Sequence, residues 1–381
     1  MRKEDFDYVL GVLQEMPETC PKDPDWYGIL GFLELNRVAG YFYCRAKEQG
    51  IRLPQGAERR LYETLRIQRE RNLLMRVHIQ QISDALKAQK IPFAFLKGSV
   101  LSNANLWMSE RAVACAVQTP HTALRYREES RITFYGLGER VSNDIDILVC
   151  QENLGAVART LRDLGFVQGT YDASREKIVE LGRNEILARR MNRGETAPFL
   201  LKSDCAALPC VEVDVNFSLD HLPSGKETAV KDFLSESIDY AGTIRGGIPG
   251  LARRDFFLHL IAHQYKESTL YSMVLRNKDA ELYKLLDLYL FLKRGCVGLD
   301  DIRIGAKKYH LERETYSVLT TLSQVFGSLK LEGVLKNFCP SAAEEEKIID
   351  PATNARYVWK RNLLDRFLSY EKSDFLKEAE G

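Results

Sequence analysis

The sequence lacks the features typical of membrane, secreted or strongly basic proteins. Its apolar runs fall well short of the roughly 20 residues that a spanning helix needs; the run 256–258, for example, stops at His259. The first five residues lead into no apolar signal core, so we expect a cytoplasmic protein with no membrane partner. Lys and Arg number 54 and Asp and Glu 53, and the resulting charge of +1 gives no whole-protein argument for nucleic-acid binding.

Cysteine pairs with metal-site spacing are also missing. The eight cysteines are scattered without a CxxC pair, which is typical of reduced thiols in a cytoplasmic protein. Cys205 and Cys210 with His221 downstream would be the best zinc site, but their spacing is poor. The length of 381 residues and the ordinary 45% hydrophobic content predict two to three globular domains.

The chain has a strand-rich middle between two helical regions. We expect an N-terminal helical region at 1–90, a catalytic core at 91–222 with an insertion at about 108–139, and a C-terminal helical domain at 223–381. The periodicity predicts helices over 26–47, 55–90, 100–107, 154–164, 253–265, 280–293 and 309–326. It predicts strands over 91–96, 144–149, 199–202 and 211–217. The chemistry should therefore lie in the middle region.

The central motif is Asp144-x-Asp146 in a predicted strand. Residues i and i+2 of a strand project from one face, about 6–7 Å apart, so the two carboxylates point the same way. They repel each other unless a cation lies between them, and hard divalent cations prefer such oxygens. The alternative is a solvated strand edge that carries two acids.

Two further patterns support a phosphate and metal site. Lys97, Gly98 and Ser99 follow a strand and open a helix, an arrangement that presents backbone N–H groups to an anion; the alternative is an ordinary strand–helix turn. Glu212-x-Asp214 places two more acids on one strand face. If that strand lies beside the first, either acid would complete a three-carboxylate metal site suited to phosphoryl transfer.

An ordered set of motifs resembles the uncharacterised nucleotidyltransferase family of the DNA polymerase β-like superfamily. The family pattern is LKG…L, then R…DIDLLV, then a helix ending in LGF, then an acid-x-His strand. The matching segments are FLKGSVL at 95–101, RVSNDIDILV at 140–149, LRDLGF at 161–166 and VEVD at 211–214. The resemblance covers roughly residues 60 to 295.

The resemblance implies an α+β fold with a polymerase β-like nucleotidyltransferase core, a short mixed sheet with flanking helices. It also implies transfer of a nucleoside monophosphate from a nucleoside triphosphate such as ATP to an acceptor hydroxyl, with release of pyrophosphate. Asp144 and Asp146 would bind Mg²⁺, or Mn²⁺ in its place, and Glu212 would be the third catalytic carboxylate and metal ligand.

The same resemblance implies a nucleotide site beside the metal. Gly98 and Ser99 would hold the outgoing phosphates, and Lys97 and Arg140 would neutralise their charge.

Two departures from the family pattern stand out. Asp214 occupies the position of the family's His, which either adds an acid to the metal site or shifts the third ligand by two residues. In addition, 44 residues (100–143) separate Ser99 from Asp144, more than the compact pattern has. The excess includes Arg125, Tyr126, Arg127 and Arg131, and is either a surface insertion or an acceptor-binding lid.

These observations favour an enzyme over two alternatives. One alternative is an inactive module that binds a nucleotide or a partner protein, and the other is a helical scaffold in which the DxD motif is accidental. His259 and His263, four residues apart, are read as core or phosphate-adjacent histidines rather than metal ligands. The acceptor stays open among a small molecule, a peptide, a protein side chain and an RNA end, and the near-neutral charge favours the first three over a long nucleic acid.

Overall fold

The chain divides into two compact units. The computed structural model describes residues 1–16, 20–106, 133–219, 227–336, 338, 347–369 and 371–379. One unit comprises residues 58–256, and the other comprises 1–57 together with 257–381. In the described ranges, every helix is too short or too polar to cross a membrane. The three-part division at residues 90 and 222 stays a prediction.

The 58–256 unit is built on an eight-stranded mixed sheet, so the expectation of a mixed sheet is confirmed, although the sheet has more strands than the short one expected. The strand order is β4-β3-β5-β6-β2-β1-β8-β7. The strands are β1 (Phe93–Phe95), β2 (Asp144–Val149), β3 (Val167–Asp172), β4 (Lys177–Glu180), β5 (Phe199–Lys202), β6 (Cys210–Asn216), β7 (Ile238–Tyr240) and β8 (Ile248–Gly250). The β2–β6 and β1–β8 pairs are parallel, and the other pairs are antiparallel.

The helices around this sheet are α4 (Gln55–Ala88), α5 (Lys97–Leu101), α6 (Leu154–Asp163), α7 (Arg183–Arg193), α8 (Glu227–Ser235) and the start of α9 (Arg253–Thr269). The long α4 forms because apolar side chains recur at helical spacing along one buried face, including Leu61, Leu65, Ile79 and Ile82. Helix α5 is shorter than the 100–107 helix expected and starts three residues earlier, at Lys97.

The second unit is mainly helical. Its helices are α1 (Lys3–Leu13), α2 (Trp26–Leu35), α3 (Ala39–Glu48), most of α9, α10 (Tyr271–Val274), α11 (Leu282–Lys293), α12 (Leu299–Lys308), α13 (Glu312–Val325), α14 (Glu332–Leu335) and α15 (Leu363–Leu368). The helix expected at 26–47 is instead two helices, α2 and α3. The break occurs because Arg37 adopts a left-handed φ of 57°, and the side-chain Oδ1 of Asn36 accepts a hydrogen bond from the Leu282 amide at 3.0 Å.

Several strands carry no clear sequence signal. Strands β3 and β4 are mostly exposed or half-buried, and β7 and β8 have only three residues each. A three-stranded antiparallel sheet in the second unit is formed by β9 (Ile348–Ile349), β10 (Arg356–Trp359) and β11 (Leu376–Glu378). Runs of two to four residues are too short for alternation to identify them.

A buried ion network anchors the end of the chain within the second unit. Asp279 is fully buried and accepts hydrogen bonds from Lys372 Nζ at 2.5 Å and Arg366 Nη2 at 3.0 Å. The Arg366 guanidinium also stacks 3.8 Å from the centre of the Trp359 ring. Asp279 therefore compensates two cations that are removed from most of the solvent.

Candidate metal centre

Two parallel strands bring the four acidic residues of the motifs onto one face of the sheet. Strands β2 and β6 pair in parallel, with Asp144 opposite Glu212 and Asp146 opposite Asp214. Because side chains at i and i+2 share a face, this register aligns both acid pairs side by side. The pairing depends on the apolar residues between the acids, since Ile145 and Val213 are fully buried on the opposite face.

Three of the four carboxylates converge. Oxygen atoms of Asp144, Asp146 and Asp214, hereafter the acidic trio, all lie within 4.8 Å of one another. Glu212 lies opposite Asp144 but outside this group. Of the two arrangements that the sequence left open, the structure therefore brings Asp214 to the Asp144/Asp146 pair, two residues beyond Glu212.

The acidic trio is electrostatically unfavourable without a cation. Burial is the largest cause that raises the pKa of Asp214 well above its ordinary value, and the negative charges of Asp146 and Asp144 are the next largest. Glu212 and Glu195 add smaller effects in the same direction. Carboxylate oxygens that repel one another in this way suit a hard divalent ion such as Mg²⁺, so the residues present fit the metal that the resemblance implies.

Lys97 supplies a positive charge to the acidic trio. Its Nζ lies 2.8 Å from Oδ1 of the buried Asp146, and the Leu96 amide donates to the Asp146 carbonyl oxygen at 3.0 Å. Asn216 Nδ2 lies 3.5 Å from the same Oδ1. Asn216 was not predicted as a site residue, although its position two residues after Asp214, on the same strand face, was a signal for it.

Gly98 allows a close approach between α5 and the segment before β2. A Cβ at this position would lie 2.5 Å from Ser142 Oγ and 2.8 Å from Ser142 Cβ, so a side chain would force the backbone apart. The same Cβ would lie 3.3 Å from Nη1 of Arg140, a buried arginine that donates to the Val141 carbonyl oxygen. The structure thus places Arg140 beside the Lys97–Ser99 turn.

Ser99 lies in a small crevice lined by both polar and apolar residues. The crevice is about 10 Å³ in volume, which is the size of a single water site. It is lined by Asn72, Met75, Ile79, Gly98, Ser99, Ser102, Asn103 and Ser142. The Ser99 hydroxyl is buried and makes no hydrogen bond to any of the described residues. An unsatisfied buried hydroxyl is costly, so this group favours a polar ligand or a bound water.

None of the remaining candidates that the structure describes belongs to the acidic trio. Cys205 and Cys210 are free thiols, and within the described ranges neither belongs to a group of three metal-ligating side chains. His221, like Arg125, Tyr126, Arg127 and Arg131, lies outside the described residues. His259 and His263 belong to α9 in the other unit, where His263 Nδ1 lies 3.6 Å from Glu267 Oε2.

Comparison with known proteins identifies the family. The model of a family described as "Uncharacterised nucleotidyltransferase" matches residues 22–111 and 134–327, which is most of the chain and includes the acidic trio, Glu212, Arg140 and the 97–99 turn. Neither a curated protein nor a solved structure shows significant similarity to the sequence. The family match and the converging carboxylates together show that the chain belongs to the uncharacterised nucleotidyltransferase family.

Proposed function

We propose that the protein is a Mg²⁺-dependent nucleotidyltransferase with a polymerase β-like core. It transfers a nucleoside monophosphate from a nucleoside triphosphate to an acceptor hydroxyl and releases pyrophosphate. The observation that carries the proposal is the acidic trio, whose oxygens lie within 4.8 Å of one another on two parallel strands. Family membership supports the transferase activity in general terms.

The acidic trio is proposed to hold the metal. A divalent ion bound there would neutralise and orient the phosphates of the nucleotide. Asp146 is held through Oδ1 by Lys97, which leaves its Oδ2 available as a ligand. In this assignment Asp214, rather than Glu212, is the third ligand, and Glu212 stays close enough on the same strand to serve the acceptor.

The proposed reaction is an in-line displacement at the α-phosphorus. The acceptor oxygen forms a bond to that phosphorus while the bond to the bridging oxygen breaks, and pyrophosphate leaves with the electron pair. The proton of the acceptor hydroxyl passes to the Glu212 carboxylate and then to solvent. Glu212 is assigned this role because it shares the sheet face with the acidic trio without belonging to it.

Lys97, Gly98, Ser99 and Arg140 are proposed to bind the phosphates. Gly98 lets the chain approach closely, and Arg140 lies beside it in the folded protein. Lys97 carries its ammonium group at the edge of the acidic trio, where it would neutralise charge on the leaving pyrophosphate. Ser99 contributes a hydroxyl that has no other partner in the described part of the chain.

The test is a transfer assay with metal binding measured in parallel. The protein is incubated with each α-labelled triphosphate, Mg²⁺ or Mn²⁺, and a lysate of its host, and the labelled product is identified. We expect Asp144→Asn and Asp214→Asn to abolish both transfer and metal binding, and Glu212→Gln to slow transfer while metal binding persists.

Asp163→Asn, at a position on α6 outside the site, is the matched control and should behave as wild type. Normal transfer by Asp144→Asn would refute the mechanism. Triphosphate binding with no pyrophosphate release under any condition would instead identify an inactive nucleotide-binding module.

A further inference from the structure

Helix α7 is a positively charged helix whose described side chains, at 183–190, form no buried face. It carries four arginines, at 183, 189, 190 and 193, and a single acid, Glu185, whose carboxylate accepts a hydrogen bond from the Gly182 amide at 2.9 Å. None of its described side chains, at 183–190, is buried, and Leu187 is 45% exposed. Because most helices in proteins are held by packing of an apolar face, a helix without one is expected to have a further partner.

Three arginines of α7, at 183, 189 and 190, have no carboxylate partner among the described residues. Other exposed helical arginines do have such partners; Arg66, for example, lies 3.0 Å from Glu63 and 2.7 Å from Glu70. Neighbouring like charges on a helix repel each other, so an anion bound at α7 would be stabilising.

The C-terminal end of α7 is attached to the strand that carries Asp214. Helix α7 ends at Gly194, whose φ is 64° and whose carbonyl oxygen accepts a hydrogen bond from the Phe217 amide at 2.9 Å. Two residues later, the Thr196 amide donates to the Val215 carbonyl oxygen at 3.0 Å. At about 1.5 Å of rise per residue, Arg190 lies about 6 Å along the helix axis from this attachment.

We propose that α7 binds the phosphate backbone of a single-stranded nucleic acid, whose terminal hydroxyl is the acceptor. The assignment of this hydroxyl as the acceptor rests on the proposed function. Arg183 and Arg190 are seven residues apart, so they lie on the same side of the helix and about 10 Å apart along it. A span of about 10 Å is longer than the separation of neighbouring phosphates in a strand, so the two arginines would contact different phosphates. Guanidinium groups bind phosphate oxygens in a bidentate manner.

The near-zero total charge does not oppose this surface. Lys and Arg number 54 and Asp and Glu 53 over the whole chain, but the arginines of α7 outnumber its acids by four to one. The affinity for a nucleic-acid strand depends on the charges that contact its phosphates, so a local surplus of positive charge is sufficient for binding.

The experiment measures binding of a fluorescein-labelled 12-nucleotide single-stranded RNA to the full chain by anisotropy, over a range of salt concentrations. The test variant is the triple substitution R183Q/R189Q/R190Q, because Gln matches Arg in helix propensity. The control is R66Q/K231Q/R303Q, which removes the same charge from exposed positions that each pair with a carboxylate.

We expect the α7 variant to bind the RNA at least about tenfold more weakly. The slope of log K against log salt concentration should be smaller in magnitude by about 2, since each lost phosphate contact removes about 0.7. The control should bind as wild type. The proposal would be overturned if the two variants bound the RNA equally well. It would also be overturned, in favour of an acidic protein partner, if a poly-glutamate peptide competed as effectively as unlabelled RNA.

Nucleotide transfer is measured separately so that the two proposals can fail independently. If a small molecule or protein acquires the label and the RNA does not bind, the transferase proposal stands and the nucleic-acid surface is refuted. If the RNA binds through α7 but no acceptor acquires the label, the surface stands and the transferase proposal fails.

Discussion

The substitution Asp214→Asn should stabilise the metal-free protein and destabilise the metal-bound protein relative to the wild type. In the acidic trio, oxygens of ionised carboxylates lie within 4.8 Å of one another, and two unit charges at that limit repel each other by about 3.5 kcal/mol at an effective dielectric of about 20. Asn keeps the shape of the side chain and removes the repulsion with both partners. Because Lys97 already offsets part of the charge on Asp146, we expect a net gain of about 1–3 kcal/mol in EDTA.

Bound metal should make the wild type more stable than the Asp214→Asn variant. A ligand at a hundred times its Kd stabilises the folded state by about 2.7 kcal/mol, and the wild type should gain this amount whereas the variant, with one ligand missing, should gain little. At roughly 2–4 °C per kcal/mol for a unit of this size, differential scanning calorimetry resolves both shifts. The variant should therefore melt above the wild type in EDTA and below it in saturating Mg²⁺.

The pH dependence in EDTA follows from the raised pKa of Asp214. A carboxyl group whose folded pKa lies above its unfolded pKa favours folding while it is protonated, and that contribution is lost as the pH rises through the folded pKa. The advantage of Asn over Asp in EDTA should therefore grow as the pH rises above about 3.9, the ordinary pKa of Asp. The matched control is Glu212→Gln, which should keep the metal-induced rise in Tm. The reasoning would be refuted if Asp214→Asn melted below the wild type in EDTA, or if it gained the full Mg²⁺-induced rise in Tm.

Three further substitutions test other parts of the structure. Asp279→Asn leaves two buried cations uncompensated and should lower the free energy of unfolding by about 3–5 kcal/mol, measured by urea denaturation. Lys97→Met removes the cation from Asp146 and should tighten Mn²⁺ binding, measured by calorimetric titration, while transfer slows. Gly98→Ala should cost about 1–3 kcal/mol because the new methyl group meets Ser142, and Ser142→Gly should partly restore the Tm.

Each of these predictions has a control in an exposed position. The Lys87–Asp239 ion pair is exposed on both sides, so Asp239→Asn and Lys87→Met should each change stability by less than about 1 kcal/mol. Gly56→Ala meets no atom within 4 Å and should not destabilise α4. The argument for Asp279 would be contradicted if Asp279→Asn and Asp239→Asn lowered the free energy of unfolding equally. Unchanged Mn²⁺ affinity in Lys97→Met would contradict the argument for Lys97, and wild-type stability of Gly98→Ala would contradict that for Gly98.

Local patterns identified the elements that carry the site. Alternation followed by an apolar run predicted β2, which the structure places at Asp144–Val149, and helical periodicity predicted α4, which ends two residues before the expected boundary. Both signals are strong because β2 is buried from Ile145 onward and α4 buries one face. The α2–α3 break was missed because it depends on one left-handed residue, Arg37, and on a hydrogen bond to Leu282 far along the chain.

The sequence by itself determined the family, the acidic motifs and the strands that carry them, because these depend on residue identity and on the two-residue period of a strand. Only the tertiary structure decided that β2 and β6 are parallel neighbours in the register that groups Asp214, rather than Glu212, with Asp144 and Asp146. It also decided that Lys97 pairs with Asp146 and that α7 ends beside β6. Acids two residues apart lie on the same strand face, so their local pattern is identical, and only long-range pairing between distant segments distinguishes them.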